Sequence, residues 1–317
     1  MVQDNISVIV ITWNRWPMLD KMLAYTLEHN DAYQELILVD NGSTDGTSEL
    51  VENKFSSIKV VRLSNNLGVP VARNVGALEA RHNLLLFLDD DGYFDFFSIG
   101  QLKRAFRQFN DLAAVGGKVF DVGDEIPFPP DFSDVRPAAF SFKHALKFAG
   151  GVCLMRKDRL VEAGMFPEHF FYCCEEVDLS YRLMKRGYKI FQCDNAVLLH
   201  CNLPKLRKNN PRFFFYHFRN RHFRVWRNLP LIYCLVESTY VIISGLWRAT
   251  PSGTNLRAFL KGTLAGALSL PWVIVCERDP LSLRQYRAYR RINNEQVVFS
   301  PVAQKRVWAK GQRSESA

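Results

Sequence analysis

Between residues 7 and 88, four short apolar runs recur: SVIVIT (7–12), ELILVD (35–40), IKVVRL (58–63) and LLLFL (84–88). They are rich in β-branched residues and leucine, without the polar alternation of a half-exposed strand. Strands buried on both faces belong to a mainly parallel sheet covered by helices on either side. The intervening segments fit, with helices expected over about residues 17–29, 48–54 and 71–81; Ser43, Thr44 and Asp45 are N-cap candidates for the second. Such sheets bind ligands at the carboxyl ends of their strands. In this chain Thr12-Trp13-Asn14, Asp40-Asn41-Gly42 and Asp89-Asp90-Asp91 stand at those ends.

Further along, the pattern loosens. Residues 121–137 are rich in proline and acids and read as a loop or insertion. A second region follows from FAGGVCLM (148–155) through a helix over 175–186 to a strand near 189–191. Beyond His200 the chemistry changes. Residues 204–227 mix basic and aromatic side chains, and two apolar stretches follow, about 229–247 and 258–276. Glu237 interrupts the first, Lys261 and Pro271 the second, so neither is a clean run of the ~20 uncharged residues of a spanning helix. Both read as amphipathic or hairpin helices lying in an interface. The tail from Arg278 is basic and polar, and its last residues are expected to be disordered.

Charge divides the chain in the same place. Residues 1–200 carry 21 Lys and Arg against 27 Asp and Glu, whereas residues 201–317 carry 20 against 5. An acidic body with a basic C-terminal third meets two kinds of partner, the second being anionic lipid, nucleic acid or a phosphorylated substrate. The expected division is therefore an α/β unit over 1–203 and a basic helical region over 204–317. A hydrophobic fraction of 48% and a charged fraction of 23% exclude wholesale disorder. The seven cysteines form no C-x-x-C pair, and the N-terminus shows no basic segment followed by an apolar one. A reducing, cytoplasmic setting without a secretory leader is the expectation.

Three carboxylates after an apolar strand repel one another unless a cation joins them. A hard divalent ion such as Mg²⁺ or Mn²⁺ does so, often sharing its shell with substrate phosphates. In extended chain, Asp89 and Asp91 point to one side and Asp90 to the other. An acidic turn in water is the plain alternative. In CEEVDLSYRL (174–183), Glu175, Glu176 and Asp178 open a helix, where its dipole alone accounts for acids. A catalytic reading requires one of them to take a proton from an acceptor hydroxyl. Arg73, in NNLGVPVARN (65–74), reaches a phosphate or braces the sheet. His200, after Val197-Leu198-Leu199, is a packing residue or a ligand.

Taken in order over residues 6–200, these segments resemble the family 2 glycosyltransferases of GT-A fold. The resemblance is carried by SVIVITWNR, ELILVDNGSTDGT, NNLGVPVARNVGALEA, LLLFLDDD and GGVCLMRKDRLVEAGMFPEHFFYCCEEVDLSYRLMKRGYKI. It implies an inverting, single-displacement transfer of a sugar from a nucleotide-diphospho-sugar to an acceptor hydroxyl, in cell-surface polysaccharide or glycolipid assembly. By match, Thr12, Asn14 and Asp40 cradle base and ribose, with Arg73, Asp89 and Asp90 completing the donor site. The family's DXD motif maps onto Asp89 and Asp91. Asp91 is the expected ligand of Mg²⁺ or Mn²⁺, Asp89 lies nearer the ribose or the metal's waters, and His200 is a further metal or phosphate contact. The catalytic base aligns with Glu176, where the family more often has Asp, and Glu175 is next in line. Gly150-Gly151 match the loop on the acceptor side.

The resemblance fades after residue 204. There Lys205, Arg207, Lys208, Arg212 and the aromatic residues 213–216 suit anionic headgroups. A saccharide or lipid-linked acceptor at the inner face of the cell membrane would account for that surface, with the enzyme peripheral and no nucleic acid expected. A helical appendage packed on the catalytic unit is the other reading. The alternative to an enzyme is a non-catalytic nucleotide- or nucleic-acid-binding protein. A nucleotidyltransferase on a related sheet is a further rival, but it would place a glycine-rich phosphate loop after the first strand, where Thr12-Trp13-Asn14-Arg15 stands.

Overall fold

A computed structural model describes residues 5–122, 128–201, 210–249 and 253–292. The four apolar runs become β1 (Ile6–Thr12), β2 (Glu35–Asp40), β3 (Lys59–Arg62) and β4 (Leu84–Asp89). All are parallel, in the spatial order β3-β2-β1-β4. Successive side chains of β1 enter opposite cores, Val8 and Val10 on one face and Ile9 on the other. That double burial, shared by β2 and β4, is why those runs lack alternation; β3, at the sheet edge, is only half-buried. Helices α1 (Trp16–Glu28), α2 (Thr47–Lys54) and α3 (Val69–Glu79) are the crossovers, each within two residues of its expected bounds.

The sheet continues past β4 with mixed polarity. It adds β5 (Gly92–Phe94), β6 (Leu112–Asp121), β7 (Phe142–His144), β8 (Val152–Arg156) and β9 (Lys189–His200), interleaved with α4 (Ile99–Gln108), α5 (Lys157–Glu162) and α6 (Glu175–Lys185). Strand β8 runs antiparallel between β4 and β6, and β6 pairs parallel with β9. Strand β6 has no counterpart in the sequence reading, because its start, LAAVGG, lacks the β-branched density that marks the other strands. Described parts of the proline-rich segment fold back on the body: Phe132 is buried in the main core, and Arg136 pairs with Asp95 at 2.5 Å.

After His200 the described elements are all helical: α7 (Pro211–Asn228), α8 (Leu231–Ala249), α9 (Gly253–Trp272), which runs on as a π-helical turn (Val273–Glu277), and α10 (Leu283–Arg291). Lys205, Arg207 and Lys208, assigned above to headgroups, and the tail from 293 lie outside the described residues. Phe214 and Phe218 of α7, Val241 of α8 and Phe259 of α9 form a small core of their own. Helix α7 also packs on α6: Asp178, fully buried, accepts from Arg182 at 2.8 Å, Arg227 at 3.0 Å and Asn228 at 2.6 Å. Its role is structural, joining the two helices. By length and composition α8 and the α9–π segment are apolar enough to cross a membrane, with mean hydropathies of 1.2 and 1.6.

Candidate active site

The carboxyl ends of β1, β2 and β4 surround a hollow of about 310 Å³, with Thr12, Trp13, Asn41 and the three aspartates in its wall. Pairing register completes the acidic group. Strand β5 leaves the aspartate turn and runs antiparallel to β9, setting Gly92 opposite His200, while β6 sets Asp121 beside it. His200 is thereby held at the triad: Nε2 stands 2.9 Å from Asp91 Oδ1 and 3.9 Å from Asp89 Oδ2, and Nδ1 stands 2.9 Å from Asp121 Oδ1. Ligand atoms of Asp89, Asp91 and His200 all lie within 4.8 Å of one another. Two carboxylates and an imidazole turned to one point suit a divalent cation.

The electrostatics of the group reflect that crowding. Burial works to lower the His200 pKa, but the hydrogen bond and charge of Asp91, joined by Asp121, raise it to about 9. Asp91 is held below the usual carboxylate range: burial opposes this, and the hydrogen bond with His200 and the Arg15 charge overcome it. Burial lifts Asp90 to about 6 despite its partner Arg15. Arg15 lies across the triad, with Nη1 3.0 Å from Asp90 and 2.5 Å from Asp91. Nothing in the sequence pattern marks it, since it reads as the residue before a helix-starting Trp-Pro.

Arg73 projects from α3 beneath the hollow and is 4% exposed. It joins the metal-type cluster to the acidic helix, at 3.7 Å from Asp89, 3.0 Å from Glu175 and 3.4 Å from Glu176. Its guanidinium also lies over the Phe166 ring. Arg73 is outside the wall of the hollow, so its immediate partners are carboxylates. The Gly150-Gly151 turn packs directly on this group. A Cβ at Gly150 would run into Glu176 Oε1, and one at Gly151 into Asp89 Oδ2, so glycine is what lets the loop approach.

The two glutamates at the start of α6 differ. Glu175 is sealed, 3% exposed, and burial together with the charge of Glu176 pushes its pKa up to about 8 against the pull of Arg73. The Glu176 side chain keeps 21% of its surface exposed. The loop before them is strained: Phe171, Cys173 and Cys174 all adopt positive φ. Two contacts hold it. Val69 N donates to Phe171 O at 2.8 Å, beside Gly68 at φ 91°, where a Cβ would strike the Phe171 backbone. On the other side Asn220 of α7, fully buried, donates to the carbonyls of Phe170, Tyr172 and Cys173 at 2.9, 2.7 and 2.9 Å. Arg219 donates to the carbonyls of His169 and Phe170, both at 2.8 Å.

Thr12 lies in the wall of the hollow, whereas Asn14 and Asp40 do not line it. Asn14 ties the loop after β1 to that after β2, accepting from Thr44 N at 2.7 Å, and its own N–H donates to Ser43 Oγ at 2.9 Å. The Asp40 carboxylate accepts from Ser43 N at 2.9 Å and from Ser48 Oγ. Asn41, just past the end of β2, and Asn66, given no role in the sequence reading, line the hollow and bond to each other at 3.2 Å. Arg212, grouped above with lipid-facing residues, instead enters the wall together with Asn210. Its guanidinium lies 5.8 Å from the Trp13 ring and 5.2 Å from that of Phe171.

Residues 7–160 match the family model described as Glycosyl transferase family 2. Over 83% of its length the chain is 23% identical to N-acetylglucosaminyl-diphospho-decaprenol L-rhamnosyltransferase of Mycobacterium tuberculosis, covering 91% of that protein. The fold matches S. aureus TarS solved with UDP-GlcNAc at a TM-score of 0.58 and 16% identity, over 85% of this chain and 81% of that one. It also matches GalNAc-T7, solved with UDP, GalNAc and Mn²⁺, at 0.60 and 14% identity, over 92% of this chain and 58% of that one. With the parallel β3-β2-β1-β4 half-sheet, these matches assign residues 7–160 to the family 2 glycosyltransferases, within a GT-A fold.

Proposed function

We propose that this enzyme transfers a sugar, with inversion, from a nucleotide-diphospho-sugar to a hydroxyl of a saccharide or lipid-linked acceptor in cell-surface polysaccharide or glycolipid assembly. The observation that carries the reading is the single guanidinium of Arg73 shared by Asp89 on one side and Glu175 and Glu176 on the other. A cation-binding edge and a candidate base are thus tied to one guanidinium, close enough to serve a single reacting centre. The relatives named above support donor and acceptor class, one by its diphospho-decaprenol substrate, the other two by the UDP compounds bound.

In this mechanism Asp91, Asp89 and His200 hold Mn²⁺ or Mg²⁺, and Asp121 orients the imbedded imidazole through Nδ1. The bound cation supplies neutralisation of the charge that grows on the departing diphosphate. Thr12, Asn14 and Asp40, with Asp90 and Asn41, shape the nucleoside end, and Arg212 stands ready for a phosphate. The acceptor oxygen attacks the anomeric carbon from the face opposite the diphosphate, whose bond to that carbon breaks, and Glu176 takes the hydroxyl proton. Glu175, sealed and readily protonated, sets Arg73 and thereby Glu176. Attack from the opposite face gives inversion with one protein carboxylate, unlike the paired acids of most glycoside hydrolases. A peripheral position at the cytoplasmic face of the membrane fits such an acceptor.

The test is a panel of nucleotide sugars with Mn²⁺ or Mg²⁺ and membrane lipid extract. One donor is expected to turn over, with loss on EDTA treatment and in Asp91→Ala. Glu176→Gln should lower kcat by about 10²–10⁴-fold while donor binding persists. Full activity in Glu176→Gln would move the base elsewhere, and no turnover of any donor would overturn the reading.

A further inference from the structure

We infer that α8 and α9 lie flat in the headgroup layer of an anionic bilayer, and that an arginine-lined hollow between α8 and α10 receives a lipid phosphate there. This deepens the membrane reading given above and rests on it. The first observation is that α8 is built inside out. Its outward stripe carries Leu231, Ile232, Leu235, Val236, Ile243 and Trp247, between 62% and 79% exposed. The face turned to the protein has Cys234, Val241, Gly245 and Ala249. Helix α9 and the π-helical turn that continues it repeat this, with Leu264, Leu268 and Val275 outward at 60%, 73% and 82% exposure. Water is a poor solvent for two adjacent apolar helix faces, and patches of this kind mark interaction surfaces.

Their orientation follows from what lies beneath. The glycines of α9 allow it to lie against α7: a Cβ at Gly262 would strike the Phe215 carbonyl, and one at Gly266 would crowd Arg219 and His222. Helix α7 carries Arg219, Arg221, Arg224 and Arg227 and is bonded to the loop at 169–173 and to α6. Carrying α8 and α9 across a bilayer would drag these charges into hydrocarbon or peel the hairpin from α7 and bare its glycine seam. Charges in the bilayer centre are strongly disfavoured. Lying in the interface satisfies both constraints, because the small-residue faces stay on α7 and only the apolar stripe enters lipid.

Charge complementarity names the occupant. Helix α10 carries Arg284, Arg287, Arg290 and Arg291 and no acid. Arg287, Arg290 and Arg291 line a hollow of about 370 Å³ with Tyr233 and Tyr286, and the acid within it is Glu237, 3.8 Å from Arg290. Val236 belongs both to this hollow and to the exposed stripe. The cationic hollow therefore opens at the edge of the apolar face, where phosphates sit when acyl chains cover Val236. A second protein copy would meet the same apolar stripe but would need an acidic patch to match the arginines.

The full chain is mixed with vesicles of phosphatidylcholine alone or with 30% phosphatidylglycerol (about that fraction of anionic lipid gives a cytoplasmic-leaflet surface potential) and sedimented. Binding is expected to favour the anionic vesicles. Arg287→Ala with Arg290→Ala should weaken it about thirtyfold, and Leu235→Glu with Trp247→Glu should abolish it. Spin labels at Leu235→Cys, Ile243→Cys and Leu268→Cys, each in a Cys276→Ser background, report depth. One shallow depth for all three supports the inference; depth passing through the midplane at Ile243→Cys overturns it. Self-association without vesicle binding also overturns it in favour of a second copy. Sugar transfer to a soluble acceptor by the Leu235→Glu, Trp247→Glu variant separates failure of this surface from failure of the transferase reading.

Discussion

The half-sheet β1–β4 and the helices α7–α10 solve opposite problems with similar apolar content. In the sheet, Ile9, Ile37 and Val39 are fully buried and acids stand only at the strand ends. In the helical region many large apolar residues of α8 and α9 face outward, while polar and basic residues of α7 are packed inside beside a small aromatic core: Asn220 and Asn228 are at most 2% exposed, and Arg221 and His222 are nearly as buried. The difference teaches that the second region is organised around the first. Its buried polar groups are spent on the loop before Glu175 and on Asp178, so α7 braces the segment that carries Glu175 and Glu176, and its partner helices are left with their apolar faces turned out.

That contrast breaks if α7 can be loosened without loss of catalysis. Asn220→Ala leaves carbonyls of Phe170, Tyr172 and Cys173 without their side-chain donor, and each buried polar group so stranded costs about 1–3 kcal/mol. The positive-φ conformations of Phe171, Cys173 and Cys174 lose the contacts that hold them. A shift of about 1 Å in Glu176 lowers turnover by ~10²-fold. The expected result is a lower melting temperature and a kcat reduced by about that factor, with donor affinity changed much less. Unchanged kcat in a destabilised variant would return α7 to the status of a separable appendage.

A smaller effect sharpens the comparison from the donor side. Arg212 is the α7 residue whose charge enters the hollow, between Trp13 and Phe171. Arg212→Ala should weaken donor binding about tenfold, a loss of ~1.4 kcal/mol, and leave kcat within about twofold, since the reacting atoms are held elsewhere. Titration calorimetry with a nucleoside diphosphate reads this directly. Equal affinity in both proteins would confine the donor site to the sheet.

What could be read from sequence follows the same divide. Strands buried on both faces announce themselves as apolar runs, so β1, β2 and β4 were legible, and the edge strand β3 could be read from its β-branched residues; the sequence also drew attention to Asp89, Asp91, His200 and the Glu pair, which the structure brings close together. Strand β6 was not, because its alanines and glycines suit a crowded interior more than a β pattern: a Cβ at Gly117 would strike the Ala196 carbonyl. Arg15, Asp121, Asn220 and Arg212 were illegible for another reason. Each acts across a long sequence separation, as in the 75 residues between Arg15 and Asp90 or the 79 between Asp121 and His200. Local pattern carries no trace of such pairings. The apolar stretches of α8 and α9 showed their composition, but which face would be covered depended on α7.

The last prediction concerns stability and its pH dependence. Glu175 is sealed beside Glu176, and its pKa of about 8 stands well above the ordinary carboxylate value of 4.5. In the unfolded chain this group loses its proton near that ordinary value, while in the folded protein it keeps it until pH approaches 8. Across that window the folded state binds more protons, so unfolding free energy falls as pH rises. The contribution is fully present below about pH 4.5 and is lost by about pH 8. Glu175→Gln mimics the protonated form and should flatten the decline, gaining relative stability at the alkaline end while matching wild type at the acid end. Denaturant titrations at pH 5 and pH 8 measure it (about the two ends of the window). A decline of equal slope in the variant would mean that Arg73 keeps Glu175 ionised throughout, and that the guanidinium, more than burial, governs the acidic end of α6.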